Sequence, residues 1–409
     1  MRLVTSILIV FLGWASGHSQ VPDKYFRMAA ENNPGLQAGY AEFEAALQKV
    51  PQANALPDPA LSFGYFISPV ETRVGPQRAK LSLSQMFPWF GTLRAQADVA
   101  ALEAEARYQE FLDERNSLYY RVADAWYPLF ELGRWKEIEQ ENIDILQSFK
   151  SIAVSRLESG EGDMTDVLRV DIMRNNALSS LSILKKKEKP LLTAFNRLLN
   201  RDENEEVELP DSLDTDYLPA GSDKDSILHR NPAIKAFDLK VEAGEAGEEA
   251  ARRQGLPKLG LGLDYVIVGE RTDMSVADNG RDVLMPMVSV SIPVYRNKYK
   301  ARVREAQLMQ KSYTLQKEEY ANSLISYYEM ALYELQRQKE LIELYGVQIQ
   351  ESRQALRLLV SAYSNSGKEF EEVLRMQQQM LEYRKMKASA EAEYRTALAR
   401  LNYLTGKIH

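Results

Sequence analysis

The chain has 409 residues, with 51 Lys and Arg against 58 Asp and Glu, a formal charge of −7, three His and no Cys. A share of 45% hydrophobic and 27% charged residues is that of a folded protein and excludes wholesale disorder. The acidic balance argues against a nucleic-acid partner, and the lack of cysteine excludes disulfides and a lipidated cysteine anchor.

Arg2 begins a short positive region, Leu3 to Leu12 is apolar, and Ala15-Ser16-Gly17 or Gly17-His18-Ser19 offers small residues for cleavage. This pattern predicts a secretory signal peptide over 1–19, because the apolar run is too short to span a bilayer as a helix. No other segment carries eighteen uninterrupted apolar residues, so no transmembrane helix is expected elsewhere.

Beyond it the chain repeats itself. NPGLQA at Asn33–Ala38 returns as NPAIKA at Asn231–Ala236, and LPDPALSFGYF at Leu56–Phe66 as LPKLGLGLDYV at Leu256–Val266. LSLSQMFP at Leu81–Pro88 is echoed by VSVSIP at Val288–Pro293, and FNRLLNR at Phe195–Arg201 by LNYLTGK at Leu401–Lys407. SGEGDMTDVLR at Ser159–Arg169 matches SGKEFEEVLR at Ser366–Arg375. Blocks recurring in one order about 200 residues apart mark an internal duplication. The expected division is a first repeat over 20–201, an acidic linker or equatorial segment over 202–226 broken by Pro210 and Pro219, and a second repeat over 227–409. Each repeat should hold a helix of about 25 residues, two short strands, a very long helix, a tight turn and a returning helix.

The strand segments alternate with period two. In the first copy Leu61, Phe63, Tyr65 and Ile67 oppose Ser62 and Gly64, and Leu81 and Leu83 oppose Ser82 and Ser84. In the second, Leu259, Leu261, Leu263, Tyr265 and Ile267 oppose Gly260, Gly262 and Asp264, while Val288, Val290 and Ile292 oppose Ser289 and Ser291. Such alternation suits a half-buried sheet in a soluble domain, but also a transmembrane barrel with its apolar face in lipid. The export signal favours the barrel, with Phe87, Trp89, Phe90 and Tyr295 placed as an interfacial aromatic girdle. The lipid-facing positions are then Leu61, Phe63, Tyr65, Leu81, Leu83, Leu261, Leu263, Tyr265, Val288 and Val290. Open sheet edges cannot exist in hydrocarbon, and about eight strands is the practical minimum for closure, so the chain must oligomerise. The strand count leaves dimer and trimer open.

From about Thr92 to Arg156 a helical pattern runs almost unpunctuated, with Ala97, Ala104, Phe111, Leu118, Ala125 and Leu132 seven residues apart. In the second copy Ala321, Leu324, Tyr328, Ala331, Leu335, Ile342, Tyr345, Ile349, Leu356, Leu359 and Tyr363 keep the register, interrupted only by Gln338 and Ser352. Sustained heptads predict coiled-coil packing, and about 60 residues at 1.5 Å rise would span roughly 90 Å. Pro128 in AWYPLF should kink the first long helix, a mid-helix Pro costing about 3 kcal/mol. The run Lys185-Lys186-Lys187 reads as a solvated helix face.

Over essentially its whole mature length the chain resembles the TolC-type outer-membrane efflux family. The residues that carry the resemblance are the NP-x-L/I-x-A openings, LPDPALSFGY, LSLSQMFPWFG before a long helix, and the R-x-x-x-G…DVL and Y-x-x-x-G…EVL turns. The resemblance implies an α+β, mainly α fold with an internal duplication. It implies a homotrimer whose long antiparallel coiled-coil helices form an α-barrel in the periplasm. Four strands per protomer would complete a trimeric 12-stranded transmembrane β-barrel in the outer membrane of a Gram-negative bacterium. Its partners would be a periplasmic adaptor (membrane fusion) protein and an inner-membrane efflux transporter, the RND type among the candidates. The chain itself would be a passive exit duct.

The helix-to-helix turns, with Gly160, Gly162 and Gly367, would then lie at the periplasmic tip. In the best-known family member, hydrogen bonds and salt bridges at these turns close the entrance. Matching position by position, Thr165 and Asp166 fall on a Thr-Asp of its first turn, and Tyr363, Lys368 and Glu372 on a Tyr, an Arg and an Asp of its second. The resemblance thus implies that Asp166 pairs with Lys368 and Tyr363 in a closed state and that Glu372 adds to an acidic ring. Arg375 stands where that member has a second constricting Asp, which makes the ring less acidic. The end at His409 and the missing lipidation Cys depart from many relatives, so the barrel alone would anchor the protein.

No catalytic residue, cofactor or metal site is expected. His18 and His409 lie at the chain ends, His229 stands alone, and no Gly-rich phosphate loop, HExxH or GxSxG appears. A periplasmic adaptor or a secreted coiled-coil scaffold is the alternative, but an adaptor carries one helical hairpin and a scaffold needs no alternating strands. The LPDP motif and compact size are similar to the heavy-metal-efflux branch, without its Met or His clusters; drug, metal and peptide export all stay open.

Overall fold

The computed structural model describes residues 21–217, 219, 224–366 and 370–407. The predicted signal peptide, Gly367, Lys368 and His409 lie outside the described residues. The described elements are, in order, α1 (Asp23–Asn32), α2 (Pro34–Asn54), β1 (Ala60–Thr72), β2 (Gly75–Phe87), α3 (Thr92–Glu158), α4 (Met164–Leu198), α5 (Lys224–Arg230), α6 (Pro232–Gln254), β3 (Lys258–Val268), β4 (Val283–Ser291), α7 (Asn297–Ser366) and α8 (Phe370–Leu404). They gather into two units. One takes Ala38–Asp113 and His229–Ser323 and holds the sheet; the other takes Met1–Gln37, Glu114–Leu228 and Leu324–His409 and is helical.

The repeated NP motif is a helix-starting device. Asn33 is extended (φ −67°, ψ 119°), so the expected first helix is two, α1 and α2. Its side-chain oxygen accepts from the Leu36 amide at 3.1 Å, and its amide donates to the Leu198 carbonyl at 2.9 Å. Asn231 does the same for α6, accepting from Ala233 and Ile234 at 3.0 and 3.3 Å. In both cases proline follows as the first helical residue, where its missing N–H has no helical acceptor and its fixed φ suits the helix.

In the sheet unit the strands form one antiparallel sheet in the order β1-β2-β3-β4. Its rows are Leu61–Leu83–Leu263–Pro286, Phe63–Leu81–Tyr265–Leu284 and Ser62–Ser82–Asp264–Met285. β1 and β2 meet at Gly75, whose φ of 128° lies where only glycine sits comfortably. A Cβ there would fall 1.9 Å from the Gly269 carbonyl oxygen, so no other residue fits. In the same unit the helices pack on one another through aromatic contacts, α2 on α3 by Phe43 with Tyr108 at 5.1 Å and Tyr40 with Phe111 at 5.4 Å, and α6 on α7 by Phe237 with Tyr320 at 5.9 Å.

The helical unit buries Trp126, Phe130, Leu118 and Leu146 of α3, Phe195 of α4, Leu335 of α7 and Tyr394 of α8. Tyr25 of α1 meets Phe195 edge to face, with ring centroids 5.1 Å apart. Leu324, Tyr328, Ala331, Leu335, Ile342 and Ile349 are all buried, as the heptad register predicted. Gln338 and Ser352 keep that register as buried polar residues, and Gln338 donates to Glu393 at 2.6 Å. α3 runs unbroken through Pro128. From Asp202 to Tyr217 the chain is irregular and tied down by its neighbours: Asn196 donates to the Glu203 and Glu205 carbonyls, and the Glu208 amide donates to the Tyr25 hydroxyl at 2.9 Å.

Candidate functional site

Two places concentrate the residues singled out by sequence: the sheet, and the turns that end the long helices. The central strands β2 and β3 are inverted relative to a soluble sheet, while β1 and β4 are exposed on both faces. The sheet's apolar face is exposed, with Phe63 68%, Tyr265 41% and Val288 76% accessible, and Leu61, Tyr65, Leu81, Leu83, Leu261, Leu263 and Val290 also exposed. On the opposite face Asp264 is fully buried and forms an ion pair with Lys80, amid Ser62, Ser82, Ser84, Gly260 and Gly262. A sheet folding in water does the reverse, so the apolar face must be covered by something other than this chain. The strands have 13, 13, 11 and 9 residues, the length that crosses a hydrocarbon core when tilted. Of the expected girdle, Trp89, Phe90 and Tyr295 are exposed and Phe87 is half-buried. No described helix is long and apolar enough to cross a membrane.

Beyond the strands, the β1–β2 turn and the β3–β4 loop clasp each other. The Gly269 amide donates to the Pro76 carbonyl at 2.7 Å and the Gly280 amide to the Val74 carbonyl at 2.6 Å. Arg271 pairs with Asp273 at 2.6 Å and holds that carboxyl down at about 2.

The first turn between long helices is set by two glycines and an aspartate. Gly160 has φ 77°, and the Glu161 amide reaches back to the Arg156 carbonyl at 2.9 Å, closing α3 with a left-handed residue. A Cβ on Gly162 would sit 2.8 Å from the Leu157 nitrogen. Asp163 caps α4, accepting from the Thr165 amide at 2.9 Å and its hydroxyl at 3.0 Å; these bonds hold the Asp163 carboxyl below the usual range. Thr165, expected in the gate, therefore serves the cap of its own helix.

Asp166 and Tyr363 do come together: the Tyr363 hydroxyl donates to Asp166 Oδ2 at 3.3 Å. Tyr363 is buried, stacked on Phe370 at 4.5 Å, and Phe370 in turn meets Phe149 at 6.3 Å. Burial first, then the Asp166 charge, pushes the Tyr363 phenol up. Glu372 and Arg375 pair with each other one turn apart on α8, so at that level the acidic side chain is already neutralised within its own helix. The expected Asp166–Lys368 pair and the second turn at Gly367 fall outside the described residues.

Arg156 was not among the expected gate residues. Its Nη1 donates to the Tyr363 carbonyl at 2.9 Å and the Ser364 carbonyl at 3.3 Å, its Nη2 to the Glu161 carbonyl at 3.2 Å, and its guanidinium carbon lies 5.0 Å from the Tyr363 ring centroid. The sequence did hold the signal: Arg156 opens R-x-x-x-G and Tyr363 opens Y-x-x-x-G, so the two occupy equivalent places in the repeats. Farther along the hairpins, Lys385 of α8 pairs with the buried Glu139 of α3, and Gln377 donates to Asn142 at 3.1 Å. Among the described residues no group of His, Cys, Asp and Glu could hold a metal ion.

The family model described as outer membrane efflux protein matches residues 26–199 and 225–407, one match per repeat. Outer membrane efflux protein BepC of Brucella suis is 26% identical over 297 residues, which is 68% of this chain and 61% of BepC. The chain thus spans about three fifths of that relative. Among solved structures, CusC superposes with a TM-score of 0.78 at 17% identity, covering 94% of this chain and 91% of its own. The outer membrane protein VceC of Vibrio cholerae gives 0.76 at 16%, covering 94% and 95%.

Proposed function

The chain belongs to the outer membrane efflux protein family, and on that premise we propose that it is the outer-membrane channel of a tripartite efflux or export system. It is an outer-membrane protein, and members of its family are channels rather than enzymes. The observation that supports the channel is the inverted pair of central strands: apolar side chains outward, and the Lys80–Asp264 pair and serines on the other face. In lipid its edge strands β1 and β4 must be paired, and three protomers close them into twelve strands around a polar lumen. The turns of the long helices form the periplasmic end, where Asp166 and Tyr363, with Lys368, hold the entrance shut until a periplasmic adaptor delivers an inner-membrane transporter. Each repeat supplies one strand pair and one hairpin, and the segment 202–226 joins them. The chain itself supplies a passage and no catalysis.

Extraction from outer membranes in mild detergent, followed by mass measurement, should give a trimer that conducts when reconstituted in planar bilayers. A monomer in the soluble periplasmic fraction overturns the channel and restores the adaptor or scaffold alternative. The polar face also predicts selectivity. Asp264→Asn removes a negative charge and leaves Lys80 unpaired, three times per trimer, so the reversal potential in a salt gradient should move toward anions. An unchanged reversal potential would place this pair away from the conducting path.

A further inference from the structure

We infer that Arg156 is the main polar latch between the tips of the two hairpins of each protomer, with the Asp166–Tyr363 contact secondary to it. This rests on the channel proposed above and names the residue that holds its closed tip. The first hairpin, α3–α4, carries Arg156 on its inner side, where the side chain is only 13% exposed. From there it reaches the last turn of α7, in the second hairpin, and binds two main-chain carbonyl oxygens, those of Tyr363 and Ser364.

Three physical features set it above the other contacts between the hairpins. The final carbonyls of a helix have no amide partner within the helix and carry its negative end, so a guanidinium there satisfies acceptors and complements the dipole. Charge-assisted bonds from a planar fork are about twice as strong as neutral ones, and this fork is shielded from water and lies against the Tyr363 ring. By contrast, the Tyr363–Asp166 bond is a single long one of 3.3 Å, and Arg169–Glu371 is an exposed pair at 2.9 Å, the kind that water and salt weaken.

Arg156 also binds the Glu161 carbonyl of its own turn. One side chain therefore braces the α3–α4 reversal and the end of α7 together. Separating the hairpin tips must break these bonds, so whatever releases Arg156 loosens the end of α7, while the Glu139–Lys385 pair and the apolar cluster of Phe149, Val170 and Phe370 hold the hairpins together farther along. Because its acceptors are backbone atoms, a side-chain change at 364 leaves these bonds in place, and one at 363 removes only the ring contact.

The absence of cysteine makes a direct test practical. Glu158→Cys and Ser361→Cys, both on exposed positions beside the turns, accept spin labels whose separation reports the gap between hairpins. It is measured in the detergent-solubilised full chain, alongside single-channel conductance. Arg156→Ala should widen the label distance and raise the open fraction about 10- to 100-fold, the range for losing a hydrogen bond to a charged group. Arg156→Lys should fall between, keeping the charge without the fork, and Asp166→Ala should open the tip less than Arg156→Ala. If Arg156→Ala fails to assemble, Arg156→Gln, which keeps the stem and two donors, serves for the same comparison. Unchanged distance and conductance in the Arg156 variants, or a larger opening in Asp166→Ala, overturns the latch. Widened hairpins with no conductance in any variant, wild type included, would keep the latch and remove the channel.

Discussion

Leu83→Arg is expected to abolish recovery of assembled trimer from the outer membrane, while Ser84→Arg, one residue away, leaves assembly intact. Leu83 lies in the row Leu61–Leu83–Leu263–Pro286, level with the middle of β3 and on the exposed apolar face. An arginine on the lipid face at mid-depth costs about 2–4 kcal/mol, so three copies would cost a trimer about 6–12 kcal/mol. That rivals the whole stability of an ordinary domain. Ser84 belongs to the row Ala60–Ser84–Gly262–Met287 on the opposite face, where it is exposed and water solvates the charge. Heat-modifiable migration on gels after outer-membrane preparation reads both variants. Equal loss in the two would mean that the faces are not divided between lipid and water, and the sheet would have to be covered by protein instead.

The alternation between the two faces of the sheet is legible in the sequence, because side-chain period is a local property. Alternation at Leu61–Ile67 and Leu259–Ile267 marks the strands and their two faces. It underestimated their extent: β1 continues through Ser68-Pro69-Val70 to Thr72, and β2 begins at Gly75. The pairing slips between Tyr65 and Val70, so the bulge shifts the period just where Pro69 breaks the pattern, and an edge strand tolerates both. The Asn-Pro helix starts were equally readable as repeated text, though not that the first one divides α1 from α2. What the sequence could not show was contact across distance. Lys80 and Asp264 are far apart in the chain and meet only through the β2–β3 register. Matching to a family motif drew attention to Asp166 and Tyr363, whereas Arg156 acts on backbone carbonyls, which no residue pattern at the receiving end can display.

Lys385→Met should be the most damaging single change in the helical unit that touches no turn. Glu139 of α3 is buried, with 3% of its side chain exposed, and Lys385 of α8 is its ion-pair partner. Removing the lysine strands a buried carboxylate, and breaking a buried pair from one side costs about 3–5 kcal/mol. The double variant Glu139→Leu with Lys385→Met should recover most of that loss, since packed apolar side chains of similar volume replace buried pairs at little or no net cost. The pattern across the wild type, two single variants and the double variant is the result that matters. Thermal unfolding of the detergent-solubilised protein, followed by helical circular dichroism, supplies all four values. A deep loss in the single variant with recovery in the double would assign the pair to specificity, fixing which turn of α8 faces which turn of α3, rather than to net stability. Losses that simply add would mean that Glu139 finds another donor when Lys385 is gone. The first outcome bears on the channel directly. Long helices with small residues in their seams can slide by a turn at low cost, and such a slip would misplace the distant Arg156 relative to the carbonyls it holds. A buried charge pair forbids the slip, because every other register leaves both charges unpaired.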